Sequence, residues 1–588
     1  PGYRARRIAF QLLPECWSSA CVYYPDPLPA GPAPGVLYVC GHAEIGTYHY
    51  QYHPILWARR GYVCLIVDST EQNDNPGEHH GSSTGRFPAW LSLGYTPAGA
   101  EVWNGMRALD WLQNRVEVKS DGFGVTGISG GGVMSWFLAA LDDRIAAATP
   151  TCASYTIGSQ VCAELLPWQC DCVFYTNIFQ LDFPVVSALV APRPVLILSG
   201  LKDPVFPPAG YRDLFIRVRR IYALYGHEER IAMVDSGAGH DDTALTLRES
   251  RAWLARWLQA RRLPTPADAS TIGVPLEQLA CLRTPPARAL NYSIHDQFIR
   301  KTPAPAAEVL AHWESRQQFL DQSLRETVFR WMPEGRSIAF QTECRESKDA
   351  CLSRFGHVED CSIETEPGVR VRLLLILPRD APTRSPLVVV VRTMSGWKHS
   401  VDIYDLLPLL GRAVVILCYP RFSELPLSAT EQTDLERASG LLGRSRATMQ
   451  TWDTLRVVRW ALDERKLGDS YAAVTGRGVG ALTAMYTAIL EKRLCHTILE
   501  EAASTHWQGP PFPCILRVTD VPEAAGLLAP RRLTLIRECK ASFETTRGIY
   551  EAVGAGTEFT VAHSLAEAVF LAGAEIKSGR QIAAACCS

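Results

Sequence analysis

Residues 122–142 join a short apolar run, a glycine-rich turn and an apolar helical segment. Residues 123–126 have the apolar and β-branched content of a buried strand. Gly-Ile-Ser-Gly-Gly follows at positions 127–131, and then a stretch rich in Ala, Leu, Met and Phe that favours a helix. A serine at such a junction is exposed at the sheet edge, and small residues two positions away on each side let strand and helix approach. The segment predicts a nucleophile elbow carrying Ser129.

A second G-x-S-x-G match, at residues 81–85, is centred on Ser83. Polar, turn-forming residues precede it at 71–77, and no strand leads into it. We therefore interpret it as a loop. The context favours Ser129 over Ser83 as a nucleophile.

The first half of the chain alternates apolar strand-like runs with helix-like segments. Strands that are nearly all apolar and alternate with helices predict a parallel sheet covered on both faces. A helix is predicted at 53–60, and another begins at Thr96-Pro97 by N-cap and N1 preference. The predicted strands are 3–13, 17–24, 35–40, 61–68, 123–126, 145–148, 193–200 and 230–235.

Three residues of catalytic type follow ends of these strands: Ser129, Asp203 and His240. Active-site groups gather at the carboxyl ends of parallel strands, and the order Ser, Asp, His is that of α/β-hydrolases. His240 would take the serine proton and later protonate the leaving group, while Asp203 would orient the imidazole. Asp241 and Asp242 are too near His240 in sequence to be preferred as the orienting acid. Taken singly, Asp203 also fits a turn and His240 a polar loop.

The tetrahedral intermediate of acyl transfer needs hydrogen-bond donors. We predict the backbone N–H of Gly130 as one, and a second from the loop after residues 35–40, at His42 or Ala43. Predicted pocket loops are 41–46, 71–94 and 153–182. Trp90, Trp136 and Trp168 could line a sugar site or belong to the core. Other histidines are interpreted as polar loop or pocket residues: His49, His53, His79 and His80.

Several segments together resemble the acetyl xylan esterase-like branch of the bacterial α/β-hydrolases: GVLYVCGH, GYVCLIVD, TPAGAEVWNGMRALDWL, GVTGISGGG, DCVFYTN, ALVAPRPVLILSGLKDPVFP and GAGHDD. The resemblance covers the chain from its start to about residue 260 and puts Ser129, Asp203 and His240 on the triad positions of that family. It implies serine ester hydrolysis, often of acetylated or otherwise esterified plant polysaccharide, by a secreted or periplasmic protein. The elbow lacks the Cys-Ser-Arg form of the related glucuronoyl esterases, which counts against a uronate methyl ester.

Charge and cysteine content exclude several other classes. With 59 basic and 61 acidic side chains, the net charge of −2 gives no electrostatic basis for nucleic-acid binding. No apolar run approaches the roughly 18 residues of a membrane span. The close pairs Cys170/Cys172 and Cys586/Cys587 lack a second ligand pair at matched spacing, so we expect no metal ion and no cofactor. The chain begins at Pro1 without Met or an apolar leader, which leaves open a removed signal peptide or a longer parent protein.

The composition of the chain changes in its middle, at residues 263–335. Apolar spacing at residues 306–331 predicts one long amphipathic helix. Proline-rich stretches before it predict an extended connector. We therefore predict a catalytic domain at 1–262, a linker with a long connecting helix at 263–335 and a second domain at 336–588. The proline-rich stretches are 263–266, 284–286 and 302–305.

The second half repeats the first at a nearly constant offset. At the offset that aligns two tryptophans and an arginine of the predicted helices, Ser129 falls on Gly478. At a slightly shorter offset Asp203 falls on Ala541, while His563 lies within a strand end and not at the place of His240. We predict a second α/β-hydrolase domain without a triad, which could position the first domain, shape its cleft, bind carbohydrate or only bury surface. The aligned residues are Trp103, Arg107 and Trp111 with Trp452, Arg456 and Trp460, then Ala191-Pro192-Arg193 with Ala529-Pro530-Arg531.

The sequence as a whole predicts a serine carboxylesterase of two tandem α/β-hydrolase domains, the first active, acting through an acyl-enzyme on acetyl or related esters of plant polysaccharide. One alternative is a peptidase or amidase of the prolyl-oligopeptidase type, although no propeller repeat of about 40–50 residues is present. Another is a non-catalytic carbohydrate-binding protein, which would suit the second half. Neither a nucleic acid nor a membrane is expected as a partner, and the oligomeric state is left open.

Overall fold

The computed structural model divides into two compact units. The first comprises Pro1–Phe87 and Tyr95–Arg300, and the second comprises Pro88–Gly94 and Lys301–Ser588. The structure describes residues 2–43, 46–258, 273–305, 307–333, 340–349, 351–379, 385–393, 406, 409–425, 427–537 and 540–569.

The first unit is built on a sheet of eight strands within the described residues. In chain order they are β1 (Tyr3–Leu13), β2 (Cys16–Pro25), β3 (Ala33–Val39), β4 (Val63–Val67), β5 (Val118–Ile128), β6 (Ile145–Thr151), β7 (Val195–Gly200) and β8 (Ile231–Ser236). They lie in the order β1-β2-β4-β3-β5-β6-β7-β8. β1 and β2 pair antiparallel, β2 pairs antiparallel with β4, and all later pairs are parallel. Every residue of β4 and β7 is buried, as the apolar runs predicted.

Helices flank this sheet. Short helices lie within two of the predicted pocket loops, 71–94 and 153–182, whose sequences show no clear apolar periodicity. The third predicted loop, 41–46, contains residues 44–45, which lie outside the described part. No helix in the described ranges is long and apolar enough to cross a bilayer. The helices of the first unit are α1 (Gly46–Tyr50), α2 (Tyr52–Ala58), α3 (Gly81–Thr84), α5 (Pro97–Gln113), α6 (Gly130–Leu141), α7 (Ile157–Cys162), α8 (Phe183–Ala188), α9 (Pro208–Leu224), α10 (Ala244–Trp257), α11 (Leu276–Leu279) and α12 (Ile294–Phe298), while residues 88–93 of α4 (Phe87–Leu93) belong to the second unit.

The second unit contains a sheet with nine described strands, β9 (Thr342–Glu346), β10 (Gly356–Glu366), β11 (Val369–Pro378), β12 (Leu387–Val391), β13 (Val414–Tyr419), β14 (Ala472–Arg477), β15 (His496–Glu500), β16 (Arg532–Ile536) and β17 (Phe559–Ala562). Their order is β17-β16-β15-β14-β12-β13-β11-β10-β9, which is the order of the first sheet with one added edge strand. The pairs from β13 to β17 are parallel. The fold class is confirmed: two mostly parallel sheets, each flanked by helices. The helices here are α13 (Ala307–Leu310), α14 (Trp313–Glu326), α15 (Ala429–Leu441), α16 (Arg446–Asp463), α17 (Val479–Leu490), α18 (Val521–Gly526) and α19 (Glu544–Ala552).

Both units use an equivalent arginine to close the helix after the elbow. Arg193 donates hydrogen bonds of 2.6–3.0 Å to three backbone carbonyls at and just beyond the end of α6. Arg531 donates bonds of 2.7–3.3 Å to three carbonyls at and just beyond the end of α17. In each case a tyrosine hydroxyl, of Tyr222 or Tyr550, donates to the carbonyl of that arginine. The aligned sequence segments therefore have the same packing roles in the two units.

Two expectations for residues 263–335 were wrong. The predicted extended connector is packed where it is described, because residues 273–300 fold onto the first unit. The side chain of Asn291 accepts a bond from Trp17 N (2.9 Å) and donates to Trp17 O (2.8 Å), and Arg7 donates to Ala280 O (2.8 Å). Residues 259–272, 306 and 334–339 lie outside the described part.

The single helix predicted at 306–331 is two helices. α13 and α14 are separated at residues 311–312, where His312 adopts φ −121° and ψ 39°. These angles lie outside the helical region. Apolar spacing predicts which face is buried but does not detect such a break, since both helices keep the same period.

We expect Arg193→Met to lower the free energy of unfolding by about 2 kcal/mol, because three carbonyls lose a charged donor. Thermal or urea denaturation of the full chain measures this. Arg220→Met, at an exposed position of α9, is the matched control and should change stability by less than about 0.5 kcal/mol. Equal losses in the two variants would contradict the role given to Arg193.

Candidate active site

Ser129 lies between β5 and α6 in a backbone conformation that residues other than glycine rarely adopt, with φ 58° and ψ −126°. Its N–H donates to Thr151 O at 3.0 Å, and its carbonyl accepts from Val133 N at 3.0 Å. The first bond ties the turn to the end of β6, and the second begins α6. The residue therefore occupies the sharp strand-to-helix turn that the sequence predicted.

Main-chain atoms crowd the two glycines that flank this turn. A Cβ atom on Gly127 would lie 2.7 Å from the carbonyl carbon and oxygen of Gly131. A Cβ atom on Gly131 would lie 2.7 Å from the carbonyl carbon and oxygen of Cys40. Backbone cannot yield as a flexible side chain can, so both positions require glycine.

Asp203 and His240 are hydrogen-bonded to each other at the same edge of the sheet. Oδ2 of Asp203 lies 2.9 Å from Nδ1 of His240. Oδ1 accepts from the backbone N–H groups of Val205 (2.8 Å) and Phe206 (3.0 Å). The Asp203 side chain is fully buried and that of His240 is 25% exposed, with the ring of Phe206 stacked on the imidazole. The carboxylate is thus fixed, and the imidazole keeps access to solvent.

Ser129, Asp203 and His240 follow β5, β7 and β8, and the strand between them, β6, leads to Cys152. Sγ of Cys152 lies within 4.8 Å of a carboxylate oxygen of Asp203 and a ring nitrogen of His240. Burial, with the nearby carboxylate of Asp203, raises the pKa of the Cys152 thiol well above its usual range. In the described part of the chain Ser129 Oγ forms no hydrogen bond, so the bond from Ser129 to His240 stays a prediction. Such bonds often tighten only when substrate binds.

The loop after β3 borders the residue that follows Ser129. A Cβ atom on Gly130 would lie 2.8 Å from Cε1 of His42 and 3.1 Å from Sγ of Cys172. Gly130 opens α6, so its N–H is at the helix N-terminus. Ala43 is half-buried, and the next two residues lie outside the described part. The oxyanion roles of Gly130, His42 and Ala43 stay predictions.

His79, interpreted from sequence as a loop or pocket residue, is buried in a chain of side chains. Its Nε2 lies 2.5 Å from Nε2 of His42, and its Nδ1 lies 2.5 Å from Oε1 of Glu101. Burial alone would lower the pKa of His79, but the Glu101 carboxylate holds that pKa above its ordinary value. Burial, together with His79 and His80, holds the pKa of His42 well below its usual range.

Asp242 is hydrogen-bonded to His53 and not to His240. Its Oδ2 lies 2.9 Å from Nε2 of His53 and accepts from the Tyr52 hydroxyl at 3.0 Å. Burial alone would raise the pKa of Asp242, but His53 and these hydrogen bonds hold it below its ordinary value. His53 and Asp242 are 189 residues apart in sequence, so no local signal pairs them.

Asp68 is a further buried carboxylate that sequence reasoning passed over. It follows β4 and accepts from Thr47 N (2.5 Å), Thr47 Oγ1 and Asn73 Nδ2 (3.1 Å). Burial, partly offset by these bonds, raises the pKa of Asp68 to about 6. Asp68 thus ties the start of α1, just after the predicted oxyanion loop, to the sheet. An aspartate at the end of an apolar strand was a signal that could have indicated it.

Ser83 lies in α3 and not in a loop as predicted, because the N–H groups of Ser83 and Thr84 both bond to His80 O. Its side chain is exposed, and its hydroxyl donates to the same carbonyl at 3.2 Å. No strand precedes α3 directly in the described chain. The geometry of an elbow is absent there.

The second unit keeps the elbow without the hydroxyl. Gly478, between β14 and α17, has φ 57° and ψ −118°, and its N–H donates to Glu500 O at 2.8 Å as Ser129 N does to Thr151 O. His563 is exposed and directly follows β17, slightly beyond the predicted strand position. The side chain at Ala541 lies outside the described part.

Comparison with known proteins gives a partial family match. Residues 20–164 match the family model described as X-Pro dipeptidyl-peptidase (S15 family). This stretch includes Ser129 and ends before Asp203 and His240. A protein of Bacillus subtilis (strain 168), "Putative hydrolase YtaP", is 30% identical over 200 residues, which are 34% of this chain and 66% of that protein. The chain thus matches just under two thirds of the length of this relative.

Two solved structures illustrate the structural similarities. "Methylesterase BT1017" has a TM-score of 0.37 at 22% identity, over 53% of this chain and 68% of that chain. "Glucuronoyl Esterase from Solibacter usitatus." has a TM-score of 0.36 at 15% identity, over 44% of this chain and 82% of that chain.

Gly131→Ala should lower stability by roughly 1–3 kcal/mol or more, because the added methyl group meets backbone of the β3 end. Thermal denaturation checks this. Gly99→Ala is the control, since Gly99 is exposed in α5 with no atom within 4 Å of its would-be Cβ. That change should be neutral or stabilising by up to about 1 kcal/mol. A Gly131→Ala protein as stable as the control would refute the packing argument.

Proposed function

We propose that the first unit is a serine ester hydrolase in which Ser129 is the nucleophile, His240 the general base and Asp203 the orienting acid. The observation that carries the proposal is the 2.9 Å contact between Asp203 Oδ2 and His240 Nδ1. It occurs at the sheet edge that also bears the strained turn of Ser129. The two backbone bonds to Asp203 Oδ1 support it, because an orienting acid must itself be held.

The hydrogen bond at Nδ1 leaves Nε2 of His240 as the proton acceptor. In the proposed reaction Nε2 takes the proton from Ser129 Oγ as the oxygen attacks the ester carbonyl. The backbone N–H of Gly130 and one from the loop at His42 or Ala43 stabilise the oxyanion. The imidazolium then protonates the leaving alkoxide. Water, deprotonated by His240, hydrolyses the acyl-enzyme and restores Ser129.

For the substrate we propose acetyl or related esters on plant polysaccharide. The resemblance to acetyl xylan esterases supports this class. Of the three tryptophans considered for a sugar site, Trp90 and Trp136 are buried, while Trp168 is 76% exposed in the predicted pocket loop. An exposed indole offers a flat apolar face to the faces of sugar rings.

A second candidate is a peptidase or amidase with the same triad. The match of residues 20–164 to the X-Pro dipeptidyl-peptidase family favours it. An amide nitrogen leaves less readily than an alkoxide, so this activity asks more of His240 as an acid. Release of p-nitroaniline from Xaa-Pro p-nitroanilides tests it directly.

Ser129→Ala should reduce kcat/KM for p-nitrophenyl acetate by several orders of magnitude, because no acyl-enzyme can form. Ser83→Ala is the matched control, since it removes the hydroxyl of the other G-x-S-x-G match, and it should leave the rate unchanged. If Ser129→Ala retains the wild-type rate, Ser129 is only a turn residue.

Wild-type protein should release acetate from acetylated xylan and cleave Xaa-Pro p-nitroanilides slowly or not at all. Trp168→Ala should raise KM for acetylated xylan several-fold and leave p-nitrophenyl acetate hydrolysis intact, because p-nitrophenyl acetate has no sugar ring to stack on the indole. Fast cleavage of the anilides without acetate release would instead support the peptidase or amidase function.

A further inference from the structure

Four side chains with metal-binding atoms converge beside the nucleophile turn. One ligand atom from each of His42, His79, Cys170 and Cys172 lies within 4.8 Å of every other. They come from three separate loops, after β3, before α3, and between α7 and α8. His79 and Cys172 are fully buried and the other two half-buried. Histidine nitrogens and cysteine sulfurs are the ligands of structural zinc sites.

The ring nitrogens are oriented as ligands of a shared ion would be. Nε2 of His42 faces Nε2 of His79 at 2.5 Å, and Sγ of Cys172 lies 3.9 Å from the same atom of His42. The opposite nitrogen of His79 lies 2.5 Å from Oε1 of the buried Glu101. A histidine that gives its Nδ1 proton to a carboxylate presents its Nε2 lone pair. Metal-binding histidines are commonly held in this way.

We propose that His42, His79, Cys170 and Cys172 form a four-coordinate Zn²⁺ site when both cysteines are reduced. Zinc bonds of about 2.3 Å to sulfur and about 2.0–2.1 Å to nitrogen put tetrahedral ligands roughly 3.3–3.8 Å apart. The observed distances between ligand atoms include values both shorter and longer than this range, from 2.5 Å between the two Nε2 atoms to 3.9 Å between Cys172 Sγ and His42 Nε2. Small adjustments of the loops would bring the four atoms to tetrahedral spacing. Two thiolates and two imidazoles fill all four positions, which makes the ion structural.

Cys170 and Cys172 are joined by a disulfide in the structure. Zinc binds thiolates, so the site forms only after this disulfide is reduced to two thiols. A phosphine reductant converts the disulfide to two thiols. The phosphine becomes its oxide, and one water supplies the oxygen and both thiol protons. Zn²⁺ then replaces the two thiol protons, which leave to solvent as the two Zn–S bonds form.

The position of the ion gives it a role in holding loops. His42 Cε1 and Cys172 Sγ are the atoms that a Cβ on Gly130 would meet at 2.8 and 3.1 Å. Zinc would therefore bind the loop after β3 and the 170–172 segment against the residue next to Ser129. Coordination uses the side chain of His42 and leaves its backbone N–H available. From the sequence we expected no metal ion, because Cys170/Cys172 lack a second ligand pair at matched spacing. His42 lies 130 residues from Cys172 in the chain.

Zinc content of the full chain tests the proposal independently of any esterase activity. After phosphine reduction, zinc loading and gel filtration, mass spectrometry of the metal should find about one zinc per chain in the wild type and a near-zero amount in Cys172→Ser. Cys162→Ser and Cys344→Ser should retain about one zinc. Cys162 is an exposed free cysteine eight residues before Cys170 in the sequence, and Cys344 belongs to the separate disulfide with Cys361.

The wild type also serves as its own control for folding. Cobalt(II) added to the reduced chain should give thiolate charge-transfer absorption and the intense visible bands of tetrahedral coordination. The same chain before reduction should give neither. Substoichiometric zinc in the reduced wild type, or equal zinc in wild type and Cys172→Ser, would overturn the proposal.

Discussion

The close main-chain approach at the elbow is the constraint on which the first unit depends. Gly127 and Gly131 let α6 begin against the ends of β3 and β5, and a side chain at either position would meet backbone. This approach forces Ser129 into its positive-φ conformation and puts the N-terminus of α6 at the sheet edge. The loops that carry the other polar groups are arranged around that fixed turn.

The three buried aspartates near this edge bond to different groups. Asp203 bonds to His240, Asp242 to His53 and Asp68 to Thr47. A buried carboxylate without a hydrogen-bond partner is costly, so each of these aspartates is satisfied by groups of its own. In the proposed reaction Asp203 orients His240, while Asp242 and Asp68 hold neighbouring segments in place.

The sequence predicted what depends on short spacing. The parallel strands, the elbow, and the strand-end locations of Asp203 and His240 were all readable from local apolar runs and glycines. The pairs His53 with Asp242 and His79 with Glu101 were not, since they join side chains from distant segments and depend on the finished fold. The break between α13 and α14 was also missed, because both helices keep the same apolar period.

Comparison of Gly478 with Ser129 indicates the conformational free energy that a serine costs at this turn. Glycine adopts positive φ without steric penalty, whereas another residue there costs on the order of 1–3 kcal/mol. Ser129 and Gly478 differ by only 1° in φ. The second unit therefore keeps the same turn in a relaxed form, and the two positions provide an internal reference, within one polypeptide, for the stability cost of a serine in this turn.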